Sequence, residues 1–353
     1  MARKYRLPSR VTRLFAVIGL LIVIPASPRA QSVELYLALA REYAAGQGDA
    51  ATARLGQWGQ DDLTAAAAAA ALTASPRDLV AAAMLHTDLA NSIIDRNPEG
   101  ARFHLNQARG ALTVASGRIG QRERLEPFVR RWFRFVASVY TSAELLTEAA
   151  AHVQRGLDRF PEDAGLYVAR AVILEVSVRK NLVPDWRRQA VYSEANRAPV
   201  DAAMKRVTAD CVRALSIDGH NAEAHLHLGW VRFVLGDERD TAELNAAIAN
   251  AQDDTVRYLA HLLLGGLAEQ ENRLADALGE YELARTAGPD FQTPLVALSR
   301  VEQALGHGAR ARELALTGLQ LDKSAADDPW WDHRIGFDRE SLYWLRDEVR
   351  RPQ

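Results

Sequence analysis

His220, His225 and His227 stand within eight positions of one another, the closest approach in the chain to a metal-ligand set. A tetrahedral zinc site needs further donors at a familiar spacing, and no nearby cysteine or carboxylate supplies them. His225 also falls where a helix packs, so packing is the preferred reading and no metal is expected. Cys211 is the one cysteine; it lies where a helix should bury it, which disfavours a nucleophile, and it has no partner for an internal disulfide. Asp327, Asp328 and Asp332 cluster in sequence, but Asp328 before Pro329 reads as a helix cap, and a glycosidase needs carboxylates flanking the scissile bond. His-Glu-x-x-His, a phosphate-binding glycine loop and Gly-x-Ser-x-Gly are all absent from the sequence. Arg130, Arg131, Trp132 and Arg134 interleave cations with an aromatic, as nucleic-acid surfaces do. With 43 basic against 45 acidic residues the net charge is −2, so a solvated helix face with Trp132 and Phe133 turned inward is preferred. The expectation is a non-enzyme with no catalytic residue, no cofactor and no nucleic-acid partner.

Helices must position these residues, because no sustained two-residue alternation and no Asn-Gly or Asp-Gly hairpin signal occurs between apolar runs. In LADALGEYELARTAGP, Leu274 to Pro289, the residues Ala277, Tyr281 and Ala284 share one helical stripe. Small side chains there admit a neighbouring helix closely, Tyr281 fills the gap, and Pro289 turns the chain. The stripe has an echo 34 residues later, with Ala277 matching Ala311 and the turn residue Asn272 matching Gly306. On the preceding helices His225, Leu228 and Gly229 share their spacing with His261, Leu264 and Gly265, and with Leu295, Leu298 and Ser299. Thirty-four residues make a helix pair whose apolar face only neighbouring pairs can cover.

These residues resemble the tetratricopeptide repeat (TPR) family, of a secreted bacterial type: Leu264, Gly265, Ala277, Tyr281, Ala284 and Pro289 fit its pattern, while His261 and Ala268 depart from its usual Trp and Tyr. Weaker echoes occur at Cys211 and Ala214, at Val153, Gly156 and Pro161, and at Ala171. The resemblance implies an all-α fold, an α-solenoid of stacked antiparallel helix pairs in a right-handed superhelix. It also implies a concave groove lined by the first helices that holds a protein or peptide. By that analogy Trp230, Phe233, Glu269, Arg300 and Gln303 line the groove, with Trp230 and Phe233 as its aromatic anchors. Gly229, Gly265, Ala277, Tyr281, Ala284, Pro289 and Ala311 form the repeat seam. The family's carboxylate-binding set of Lys, Asn and Arg is not offered at the matching positions. The competing reading is a helical carbohydrate-binding or carbohydrate-active protein, since seven tryptophans could stack on sugars.

The expected organisation is a signal peptide over 1–30, degenerate helical hairpins over 31–120, the repeat array over 121–325 with an insertion near 178–200 containing Pro184 and Pro199, and capping helices over 326–353. Five basic residues from Arg3 to Arg13 precede the apolar run Leu14 to Ile24 and the small residues around Ala30. That is export order, with cleavage near Gln31, and eleven apolar residues are too short for a stable span. A periplasmic or secreted protein is expected; an uncleaved N-terminal anchor is the alternative. At the other end, Pro329, Trp330 and Trp331, then a helix starting at Asp338 with Leu342, Leu345 and Val349 on one side, and Arg346, Arg350 and Arg351 near its end, should close the stack against solvent.

Overall fold

Ser75, Asn97 and Asp253 each stand just before a helix and accept the amide three residues on, at 3.1, 2.9 and 3.0 Å. Pro76 and Pro98 sit in the first turn, where a missing amide hydrogen costs nothing. The computed structural model describes residues 28–181, 194–235, 241–321, 328–332, 345–347 and 349–350. Among these it shows helices and no strand: α1 (Pro28–Ala44), α2 (Gly48–Leu55), α3 (Gln60–Thr73), α4 (Pro76–Ile93), α5 (Pro98–Gly117), α6 (Arg122–Ser142), α7 (Leu146–Arg159), α8 (Ala164–Asn181), α9 (Glu194–Ile217), α10 (Ala222–Leu235), α11 (Ala242–Asn250), α12 (Asp254–Gln270), α13 (Leu274–Ala287), α14 (Gln292–Ala304), α15 (Gly308–Leu319) and the short α16 (Pro329–Asp332).

From α4 to α15 the helices pack as consecutive pairs, α4 with α5 through α14 with α15. The first helices also touch across pairs, α6 with α8, α8 with α10 and α10 with α12, and so form one packed row. The row of first helices is termed the inner row. The turns share one geometry. Gly46, Glu144, Asn272 and Gly306 adopt φ of 93°, 58°, 57° and 84°, and the next amide donates five residues back: Gln47 to Glu42, Leu145 to Tyr140, Arg273 to Ala268, and His307 to Glu302, at 2.8–3.0 Å. This is the Schellman closure, and it ends four helices identically. Between pairs, Phe160 and Gly288 share φ −131° and ψ 70°, each followed by a proline, Pro161 or Pro289.

Two cores run along the stack. One joins α1–α7 and one side of α8 around Tyr36, Met84, Trp132 and Phe135, and the other joins the rest of α8 to α9–α15 around Val207, Tyr258, Leu263 and Tyr281. Leu146 and Tyr167 pack against both.

Helix occupies both ends of the 178–200 stretch: α8 runs to Asn181, and α9 begins at Glu194 with Pro199 inside it. Pro199 lies near the amino end of α9, where it removes a single ladder bond. Pro184 lies outside the described residues. The expected cap residues divide between the two cores. Leu345 and Val349 are buried in the first, and Trp330 packs against the second. On the last pair Val296, Leu316 and Leu319 remain 51%, 49% and 78% exposed. Asp327, Asp338, Leu342 and Arg351 lie outside the described residues, as do residues 1–27, where most of the expected signal peptide falls.

Candidate functional site

The seam makes the inner row possible. A β-carbon on Gly229 would lie 2.3 Å from Leu244 Cδ2, and one on Gly265 would lie 2.5 Å from the Tyr281 ring, so only glycine lets α10 meet α11 and α12 meet α13 this closely. Ala277, Tyr281, Ala284 and Ala311 are all buried, while Pro289 is exposed in its turn. The pairs α10–α11 and α12–α13 repeat a polar tie as well: His225 Nδ1 meets Glu243 at 2.5 Å and His261 Nδ1 meets Glu280 at 2.8 Å. The architecture is tetratricopeptide-like.

Glu269, Tyr281 and Arg300 come together on this stack across two pairs. Arg300 Nε and Nη2 each donate to the Glu269 carboxylate at 2.6 Å, and Tyr281 Oη donates to it at 2.9 Å. Burial opposes ionisation of Glu269, but Arg300 and then Tyr281 outweigh it and hold the carboxyl below its ordinary range. Arg300 keeps 58% of its side chain exposed. Beside it lies a shallow, open hollow of about 420 Å³, lined on α14 by Val296, Ser299, Arg300 and Gln303 and on α15 by Ala311, Arg312 and others. Ser299 Oγ donates to the Ala311 carbonyl at 2.7 Å and fixes the floor.

The two aromatics expected in the groove sit differently. Trp230 is 7% exposed and belongs to the second core. Phe233 is half-buried, with its edge 3.2 Å from where a β-carbon on Gly266 would stand. One residue past a seam glycine, the indole turns into the contact between α10 and its neighbours, so its ring is not offered to a partner. Of the five expected groove residues, Glu269 and Arg300 meet, Gln303 joins Arg300 at the hollow, and Trp230 and Phe233 are packing residues. The sequence did not signal Arg312, whose position follows only once α15 is set against α14.

The residues that suggested other chemistry are placed plainly. His220, His225 and His227 face three different partners: Asn250 at 3.0 Å, Glu243, and the buried Glu175 at 2.8 Å. Carboxylates therefore do lie beside two of them, but on opposite sides, and no group of three or more His, Cys, Asp or Glu side chains suited to a metal occurs among the described residues. Burial, then the charge of Glu175, pushes the Cys211 thiol upward, away from the thiolate a nucleophile requires. Trp132 and Phe133 are buried, and Trp132 Nε1 donates to Thr87 Oγ1 at 2.8 Å. Arg130 and Arg134 are not a simple solvated face. They close on the carboxylate of Asp163, which is fully buried, at 3.4 and 2.7 Å. The described tryptophan side chains, Trp58, Trp132, Trp230 and Trp330, are buried or half-buried in packing.

No family model matches the chain, and no curated protein matches it. Among solved structures, PilF of Pseudomonas aeruginosa aligns at 15% identity over 61% of this chain and 88% of its own, with a TM-score of 0.44. PilW, a widely conserved type IV pilus biogenesis factor, aligns at 18% identity over 63% of this chain and 92% of its own, with a TM-score of 0.43. Neither likeness is tight enough to assign a role to this chain.

Proposed function

We propose that the chain is an exported, non-catalytic scaffold whose inner face binds a protein or peptide. The hollow between α14 and α15 carries this reading: it joins apolar walls from Val296 and Ala311 to two guanidinium groups, Arg300 on α14 and Arg312 on α15. An open, partly apolar hollow with a charged rim is the anatomy of a binding hot spot. Arg300 is already held by Glu269, so it is preorganised rather than loose, and the chemistry suits a partner segment bearing carboxylates.

The test is capture of partners from an envelope extract with the intact chain beside Arg300→Glu and Arg312→Glu together. The expected result is a specific partner band lost by at least tenfold in the variant, with helicity retained. Equal recovery from both would remove this face from consideration. For export, intact-mass measurement of the purified protein should show a chain beginning near Gln31, a cut that removes only the first three residues of α1. A mass that retains Met1 to Arg29 would refute it. No described helix is long and apolar enough to cross a membrane.

A further inference from the structure

Arg102 and Arg109 of α5 stand seven residues apart, two turns along one helical face, and so do Glu148 and Arg155 of α7. Short connections set α6 antiparallel to both α5 and α7, so α5 and α7 run in the same direction. Arg102 and Glu148 join these two helices by an ion pair at 2.5 Å. The same step of two turns, about 10 Å along each helix, brings Arg109 opposite Arg155. One level is an ion pair and the next is a pair of like charges.

Tyr140, near the carboxyl end of α6, completes the arrangement. Its ring stands 5.9 Å from that of His152, which lies between Glu148 and Arg155 on α7. Tyr140 is 4% exposed, and its hydroxyl has no hydrogen-bond partner among the described residues. The unpartnered side-chain polar atoms sealed from solvent there are Asp88 Oδ1 and His227 Nε2, so the Tyr140 oxygen still reaches solvent. Burial raises its pKa; the charges of Arg102, Arg109 and Arg155, set against Glu148, do not reverse this, and the phenol stays a donor. Arg109 and Arg155 make no side-chain hydrogen bond or ion pair among the described residues. Other half-buried arginines close on a carboxylate, Arg134 on Asp163 at 2.7 Å and Arg170 on Asp210 at 2.6 Å. Arg109 has burial and then the charge of Arg155 against it.

We propose that Arg109, Arg155 and Tyr140 form a binding site for a phosphate dianion, free or as the end group of a small phosphomonoester. Two guanidinium groups match two negative charges, and with the phenol they bring donors from three helices to a tetrahedral group with several acceptor oxygens. A carboxylate is planar and singly charged, and one guanidinium fork satisfies it, as Arg170 does Asp210. The recessed phenol oxygen is reached by a compact group rather than by a flat surface. The site shares no residue with the hollow between α14 and α15, so this inference and the proposed binding face stand or fall separately.

The test is titration calorimetry on the full chain at an ionic strength held constant with sodium chloride. Inorganic phosphate should bind saturably, one per chain. Arg109→Gln with Arg155→Gln should weaken it by about tenfold or more, with helicity retained and a melting temperature no lower, because a like-charge repulsion is removed. Tyr140→Phe, which removes one oxygen and keeps the packed ring, should weaken it by about fivefold. Glycerol 3-phosphate titrated alongside separates the two sources, since the tighter ligand shows whether the ester or the free ion is taken. No saturable binding of either compound, or affinity unchanged in the double variant or in Tyr140→Phe, would overturn the proposal.

Discussion

His86, His104 and His152 are the residues through which acid should reach this fold. His86 and His104 share a hydrogen bond between their Nδ1 atoms at 2.8 Å, His86 Nε2 meets the Tyr36 hydroxyl at 3.1 Å, and His152 Nε2 donates to the Phe133 carbonyl at 3.2 Å. Burial lowers His86 to about 3, with the neighbouring His104 adding to the shift. Burial lowers His104 to about 4, and His152 to about 3 with help from Arg109 and Arg155. A histidine depressed in the folded state takes up its proton first in the unfolded chain. Stability is therefore complete above the unfolded value near 6.5 and falls as pH drops toward 4. At pH 5 the loss is about 2 kcal/mol for each of the three, since all remain neutral in the folded state there. Denaturation midpoints at pH 7.5 and pH 5 should show this, and His152→Gln should flatten the acid slope by about one proton. An unchanged slope would contradict the buried, neutral assignment. His227 works in the opposite direction: burial lowers its pKa, but Glu175 overcomes burial and raises it. Its contribution is complete below about 6.5 and declines as pH rises through the raised folded value. Stability should peak near neutrality.

At the scale of the helix pair, two glycines separate close approach from backbone conformation. Gly306 has φ 84° and open space where a β-carbon would go, so Gly306→Ala should cost about 1 kcal/mol from the left-handed backbone alone. Gly265→Ala meets the Tyr281 ring, which is held by Glu269 and cannot retreat freely, so it should cost about 1–3 kcal/mol and loosen the Glu269–Arg300 tie. Chemical denaturation of both variants checks the order; an equal or reversed cost would mean that Tyr281 repacks. The stripe of Ala277, Tyr281 and Ala284 could be read in the sequence because a helical face is local information, confined to one turn and the next. The closure at Glu144 could not, since a glutamate with φ 58° is unusual and only its four-fold recurrence with Gly46, Asn272 and Gly306 reveals the motif. Trp230 was misplaced for a related reason. Position after a seam glycine gives the direction around one helix, but whether a neighbour already covers that side depends on the next pair. The hydrogen bond from Arg346 to Asp88, at 2.9 Å, was least legible, because no periodicity links residues 258 apart.

For the molecule as a whole, two cores joined at Leu146 and Tyr167 imply that damage spreads unevenly. Ala277 is fully buried in the second core, and Ala277→Trp should overpack the α12–α13 contact at a cost of about 1–3 kcal/mol. Hydrogen exchange should then accelerate across α10–α15 and change little in α1–α5; equal acceleration everywhere would show a single cooperative unit. The chain also carries its own reporter for this experiment. Cys211 is fully buried in the second core and is the sole thiol, so any reagent that modifies it must wait for α9 to come away from its neighbours. The thiol is a molecular stopwatch: the labelling half-time reads how often that half breathes, without a dye, a tag or a substitution.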